Sequence, residues 1–267
     1  MKKLIALLMA MALLVCCFAG CGAKDVDDNS SDVSSDDTAA VTTVKEGKLT
    51  MATNAYFQPY EYYDGDKIVG IDAEIAEKIA EKLGLELVIE DMAFDSIITA
   101  VQEGSVDIGL AGMTVREDRL EKVDFSISYA NGVQVVIVPN DSPIKTVDDL
   151  FADGATYKAG VQLGTTGDAY ASEDLGADRV TQYPNGNEAV NALIGGDVDC
   201  VIIDNEPAKS FVANNSGLKI LETTYADEDY AACIKKGNKA LLEAVNKAIN
   251  DLIADGTIDT IVGKYIK

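Results

Sequence analysis

From Lys45 onward the chain alternates short apolar runs with segments whose apolar residues recur at helical spacing, and few architectures accept that order. "KLTMAT" (48–53) and "LELVIE" (85–90) have the content of strands. Between them "IDAEIAEKIAEKLG" (71–84) sets Ile75, Ile79 and Leu83 on one helical face, with Asp72 placed as N-cap and Gly84 as the stop. "FDSIITAVQEG" (94–104) reads as a second helix ending at Gly104, and "VDIGL" (106–110) as the next strand. "VQVVIV", "TYKAGV", "RVTQY" and "CVII" continue the strand series, with helices such as "NEAVNALIGG" between them. Residues 239–266 read as two helices punctuated by Gly256. The pattern predicts an α/β protein with largely parallel sheets.

Composition removes several functions. The 267 residues carry a net charge of −23, which repels nucleic acid and anionic lipid surfaces. There is no histidine, so the usual general base, the Ser–His and Cys–His pairs and most zinc sites are absent. No Walker loop, GxGxxG or CxxC occurs, and no cofactor or metal is expected. "DVDDNSSDVSSD" (25–36) imitates the start of a calcium loop but lacks the turn glycine at Ser30 and the closing Glu at Asp36. It reads as a solvated acidic spacer.

The first twenty residues read as an export signal: Lys2 and Lys3, then an apolar run from Leu4 to Ala19 that is shorter than the ~20 residues of a spanning helix. "FAGCG" (18–22) resembles the lipobox of bacterial lipoproteins, which implies lipidation of Cys21; plain secretion is the alternative. A flexible tether follows to residue 44. Cys200 and Cys233 lie in apolar runs and read as two buried thiols rather than a disulfide.

In parallel sheets, ligands bind beyond the carboxyl ends of strands, and four such junctions carry unusual chemistry. In "VDIGLAGMTVREDR" (106–119), Ala111 and Gly112 leave room for close approach, and Thr114 with Glu117 reads as a capping box starting a helix at Val115. Arg119 offers a planar fork for a carboxylate, or else makes a surface ion pair. "QLGTTGD" (162–168) forms an anion cradle at a helix start, or simply an N-cap by Thr165 or Thr166. In "CVIIDNEP", Asp204 caps a helix or pairs with a cationic ligand group. "NAYFQPYEYY" (54–63) crowds five aromatics together, too many for core alone, and with Phe94 suggests a stacking surface. One cation, one anion and flat apolar walls complement an α-amino acid.

Those stretches, in that order, carry a resemblance. From about Lys45 to Lys267 the chain resembles the polar amino-acid solute-binding proteins of ABC importers, the group containing glutamine- and histidine-binding proteins. The carriers are "TNAYFQPYEY", "VGIDAEIAEKIAEKLG", "FDSIITAVQEGSVDIGLAGMTVREDR", "VDFS", "VQLGTTGDAY", "VDCVIIDNEPA" and "ADGTIDTIVGKY". The resemblance implies two α/β lobes joined by two hinge strands: residues 45–129 and 230–267 in one lobe, 133–224 in the other, with 129–133 and 225–230 as hinges. It implies that Phe57 and Phe94 sandwich the ligand side chain, that the backbones of Ala111 and Gly112 receive the ammonium, and that Thr114 makes a hydroxyl or amide contact. It places Arg119 and the Thr166 amide on the carboxylate and Asp204 on the ammonium. Asn54 stands where several relatives have an aspartate, and Gln162 lines the same region; Glu61 is expected to face away, and is the alternative source of a carboxylate. A neutral polar ligand, glutamine- or cystine-like, is therefore expected, with a basic amino acid as the alternative. The implied partners are a free L-amino acid and an importer permease, with membrane contact only through the lipid anchor and the protein a monomer. An enzyme on the same fold, resembling dehydratases of cyclic prephenate-like acids, and an extracellular sensory domain are the rival readings.

Overall fold

A computed structural model describes residues 41–266. The expected signal, Cys21 and the acidic stretch up to residue 40 lie outside the described residues. Val44 is already tied to the domain, its N–H donating to Asp107 Oδ1 at 2.7 Å.

The chain first lays down β1 (Lys48–Thr53), the small strands β2 (Tyr56–Phe57), β3 (Glu61–Asp64) and β4 (Lys67–Val69), and α1 (Ile71–Leu83). Next come β5 (Glu86–Asp91), α2 (Phe94–Glu103), β6 (Ile108–Gly109), the single-turn α3 (Glu117–Leu120) and the long β7 (Val123–Pro139). A second lobe follows: β8 (Ala159–Gln162), α4 (Thr166–Leu175), β9 (Val180–Tyr183), α5 (Gly186–Gly195), β10 (Cys200–Asp204), α6 (Asn205–Asn214) and β11 (Leu218–Ile220). β12 (Ala226–Lys235) returns to the first lobe, where α7 (Lys239–Ala254) and α8 (Thr257–Tyr265) pack.

The fold is two-lobed, and one curled sheet runs through it in the order β5-β1-β6-β12-β7-β10-β8-β9, with β11 beside β7. Parallel pairing holds only inside each lobe: β1 with β5 and β6 in the first, β8 with β9 and β10 in the second. β7 and β12 run antiparallel to each other and to their outer neighbours, which corrects the expectation of largely parallel sheets. The 17-residue β7 pairs Phe125 with Cys233 at one end, and Gln134 with Asp204 and Ile137 with Val201 at the other. Both strands therefore cross from lobe to lobe.

Alternation along the strands gives each lobe a core on both sheet faces. In β10, Val201 and Ile203 pack with Val190 and Leu193, while Cys200 and Ile202 pack with Ile144 and Val161. In the first lobe Leu49 and Met51 meet Ile75, Ile79 and Leu241, and the opposite face holds Ile97, Val101 and Cys233. Cys200 and Cys233 are thus buried free thiols in separate lobes.

Two expected caps are different. α1 begins after Gly70, whose φ of 130° and approach to the Tyr60 carbonyl (2.2 Å from where a Cβ would stand) leave no room for a side chain. The first-turn amides of Ile71 and Asp72 donate to the carbonyls of Pro59 and Tyr60, so the Asp72 carboxylate is not needed as a cap and reaches across the lobe instead. Thr114 does not start a helix at Val115. It forms a β-bridge with Tyr230, which holds the backbone extended until α3 begins at Glu117. Gly84 and Gly104 end α1 and α2 in the left-handed conformation, as expected.

Ile75 has no exposed surface. Ile75→Ala should lower the unfolding free energy by about 2–5 kcal/mol. Urea denaturation checks this, and a loss below about 1 kcal/mol would contradict the packing described.

Candidate functional site

A cavity between the lobes is lined by all ten residues singled out from the sequence: Asn54, Phe57, Phe94, Ala111, Gly112, Thr114, Arg119, Gln162, Thr166 and Asp204. Cys21 lies outside the described residues.

Arg119 reaches the cavity from α3 and is only 4% exposed. Its Nη1 donates to the Thr114 carbonyl at 2.8 Å and its Nη2 to the Gly164 carbonyl, on the other lobe, at 3.1 Å. The guanidinium carbon lies 5.5 Å from the Phe94 ring centre. Among the described residues it joins no ion pair, so the surface-pair reading fails. Burial pulls its pKa down, yet a guanidinium stays charged. Facing it, Thr165 caps α4 by accepting the Asp168 amide at 3.2 Å. The Thr166 N–H at the first helical position has no acceptor among the described residues. A buried cation and a bare helix-start amide make one anion site from two lobes.

Asp204 caps a helix, as one of its two readings has it, and also stands at the cavity. Its Oδ1 accepts the Glu206 amide at 3.0 Å and so caps α6. Its Oδ2 accepts the Tyr230 hydroxyl at 2.5 Å and the Val133 amide at 3.1 Å while the group fronts the cavity. Burial raises its pKa to about 6, against the pull of those donors. The carbonyls of Ala111 and Gly112 accept no hydrogen bond among the described residues, leaving acceptors for an ammonium.

The bare position at Gly112 has a structural reason beyond any ligand. Its φ is +51°, a Cβ would stand 2.8 Å from the Phe57 ring, and its amide donates to Asp72 Oδ2 at 2.7 Å. Ala111 is core on one side and cavity wall on the other. The aromatic cluster is also smaller in function than expected. Of the five in 54–63, only Phe57 lines the cavity. Tyr60 is buried between Phe57 and Tyr230, with ring centres 5.7 and 5.3 Å away, while Tyr56 and Tyr63 are exposed on the hairpin.

Asn54 and Gln162 meet each other across the cleft. Gln162 Nε2 donates to Asn54 Oδ1 at 3.0 Å, and Asn54 Nδ2 donates to the Met92 carbonyl at 2.8 Å. With the Arg119–Gly164 bond, and Gly164 so near Asp95 that a Cβ would lie 2.9 Å from it, these contacts hold the cleft closed.

Residues 49–267 match the bacterial extracellular solute-binding proteins, family 3. The chain belongs to this family. The arginine-binding extracellular protein ArtP of Bacillus subtilis (strain 168) is 30% identical over 274 residues, covering 99% of this chain and 98% of ArtP. The ABC transporter glutamine-binding protein GlnH of the same strain is 29% identical over 271 residues, covering 100% and 98%. A solved structure of an ancestral arginine-binding protein bound to glutamine matches with a TM-score of 0.77 at 38% identity, covering 83% of this chain and 99% of that one.

The family-3 cavity also contains one residue that was expected elsewhere and two that sequence reasoning passed over. Glu61 lines it instead of facing away, and Glu228 and Gln134 enter it from β12 and β7, with Gln134 Nε2 donating to Glu228 Oε2 at 3.0 Å. A lone acid set among the aromatics of "QPYEYY" was the available signal for Glu61. Glu228 sits among other acids in "YADEDY", which gives nothing to distinguish it.

Because the folded state holds the Asp204 proton up to about pH 6 and an unfolded chain releases it near about pH 4, ionising this group removes stability as pH rises through that window. Asp204→Asn should flatten that part of the curve of melting temperature against pH. Equal slopes in the two proteins would show that the carboxyl ionises as freely in the fold as outside it.

Proposed function

We propose that this protein captures a free L-α-amino acid between its lobes and presents it to an ABC importer, as an exported protein anchored through Cys21. The observation that carries the reading is Arg119, a buried guanidinium whose described partners are two carbonyls and which faces the free Thr166 amide. A ligand carboxylate satisfies both, and Asp204 with the Ala111 and Gly112 carbonyls suits the ammonium. Hinge closure then follows from contacts that the ligand makes with both lobes at once. The cavity acids Glu61, Asp204 and Glu228 are spoken for in this reading by recognition, and no catalytic step is assigned to them.

The side chain is read from the far end of the site. Asn54 has both amide atoms committed to Gln162 and Met92, which argues against it as the main reader. Glu61 is wholly buried, lines the cavity, and has no donor on either oxygen among the described residues. That favours a basic side chain, arginine or lysine, over the neutral one expected from Asn54. The relatives named for arginine and for glutamine allow both, and the neutral amides of Asn54 and Gln162 keep a glutamine-like ligand as the second reading.

Titration calorimetry with L-amino acids tests the clamp. Arg119→Ala should weaken binding of every α-amino acid by about 30-fold or more, the cost of truncating one partner of a buried charged pair. Arg119→Lys should retain part of the affinity. Unchanged affinity in Arg119→Ala would overturn the reading.

A further inference from the structure

Glu61, on β3, and Asp72, in the first turn of α1, have no surface exposure. Asp72 Oδ2 accepts the Gly112 amide at 2.7 Å and the Tyr129 hydroxyl at 2.8 Å. Its Oδ1 and both Glu61 oxygens have no donor among the described residues. The Asp72 amide donates to the carbonyl of Tyr60, the residue before Glu61, at 2.9 Å, which sets the two buried carboxyls in contact. Ionised carboxylates only accept, so the contact is a hydrogen bond only when one of the two carries a proton. Asp72 has two donors that favour its charged form, and Glu61 has none. The proton therefore belongs on Glu61 and points to Asp72.

The surroundings agree. The titratable groups facing the pair are Asp91 from the end of β5, Asp204 from β10, and the phenols of Tyr60 and Tyr129 from two further segments. None is a cation. The cavity's Arg119 donates to the Thr114 and Gly164 carbonyls. Burial, and after it the Asp72 charge, pushes Glu61 well above the ordinary carboxyl range.

Resting on the amino-acid reading above, we propose that Glu61 and Asp72 act as one proton-sharing pair that reads the charge of the ligand's side chain. With a neutral side chain the pair keeps its proton, and Glu61 offers an oxygen as acceptor. With a cationic side chain the Glu61 O–H bond breaks and the proton passes to solvent. The carboxylate then takes N–H donors from the ligand. Affinity for a basic amino acid consequently rises with pH, by up to about tenfold per unit while the free pair holds its proton. Neutral ligands gain nothing from this source.

The test is calorimetry of the purified protein with L-arginine at one pH, in two buffers of different ionisation heat. Release of about one more proton per arginine from the wild type than from Glu61→Gln is expected. Taking that difference removes any proton that Asp204 exchanges with the ligand's ammonium. The infrared spectrum of the free protein provides a readout without ligand: a protonated-carboxyl stretch at neutral pH that disappears in Glu61→Gln. Arginine binding with no more proton release from the wild type than from Glu61→Gln overturns the pair and leaves the amino-acid reading intact. Binding of neutral amino acids only, with the carboxyl stretch present, overturns the basic ligand and supports the pair. Absence of that stretch overturns the pair whatever binds.

Discussion

A guanidinium taken out of water with only neutral carbonyls to receive it is a costly thing for a fold to keep. Removing an ion from water costs several kcal/mol even after the protein relaxes, and carbonyl dipoles offset only part of it. In this protein the two carbonyls belong to different lobes, Thr114 to the first and Gly164 to the second. Closing the cleft therefore both buries Arg119 and supplies half of its solvation. On the proposed reading, an anion arriving between the lobes completes the compensation, and its contacts exist in full only in the closed arrangement. Affinity and closure are then one free-energy term, as a ligand that shifts a two-state equilibrium requires.

That coupling depends on a crossover between the lobes. β7 and β12 supply it as an antiparallel ribbon shared by both lobes, with register shifts at Tyr230 and Ala231. Tyr230 lies at the irregularity and donates its hydroxyl to Asp204, tying the returning strand to the second lobe's cavity wall. Gly132 makes room for this. A Cβ at that position would lie 2.3 Å from the Tyr230 ring, so bulk there would push the phenol away from Asp204. Glu228 and Gln134 face the cavity from the same ribbon, so the crossover is also part of the binding surface.

Much of this was legible locally. Helical spacing found α1, α2, α5 and the final pair, because each buries a continuous apolar stripe and closes at a residue tolerant of the turn. The cavity residues were legible because small and hydroxylic residues at strand ends have few structural uses. What failed depended on distant partners. The direction of β7 and β12 is set by which strand lies beside them, not by their composition. Thr114 lost its cap to a bridge with Tyr230, over a hundred residues away, and Asp72 was released from capping by carbonyls of the preceding turn. Tyr60 and Phe57 look alike in sequence, yet packing on Tyr230 buries one while the other stays at the cavity.

The distribution of charge in the cavity carries the selectivity one step further. Arg119 is the single Lys or Arg among its lining residues, whereas Glu61, Asp204 and Glu228 are all acids. The cation and Thr166 both line the cavity, and the guanidinium with the free amide suits the one carboxylate that every amino acid has. On the proposed reading, a second carboxylate on the side chain would meet the negative charge that Glu61 and Asp72 share, with no free cation to offset it, and like charges brought together in such a site cost several kcal/mol. On that reading glutamate and aspartate are disfavoured on electrostatic grounds, while glutamine, of nearly the same shape as glutamate, is not. Discrimination against acidic side chains therefore needs no steric device; it follows from spending the cavity's only cation on the ligand's backbone.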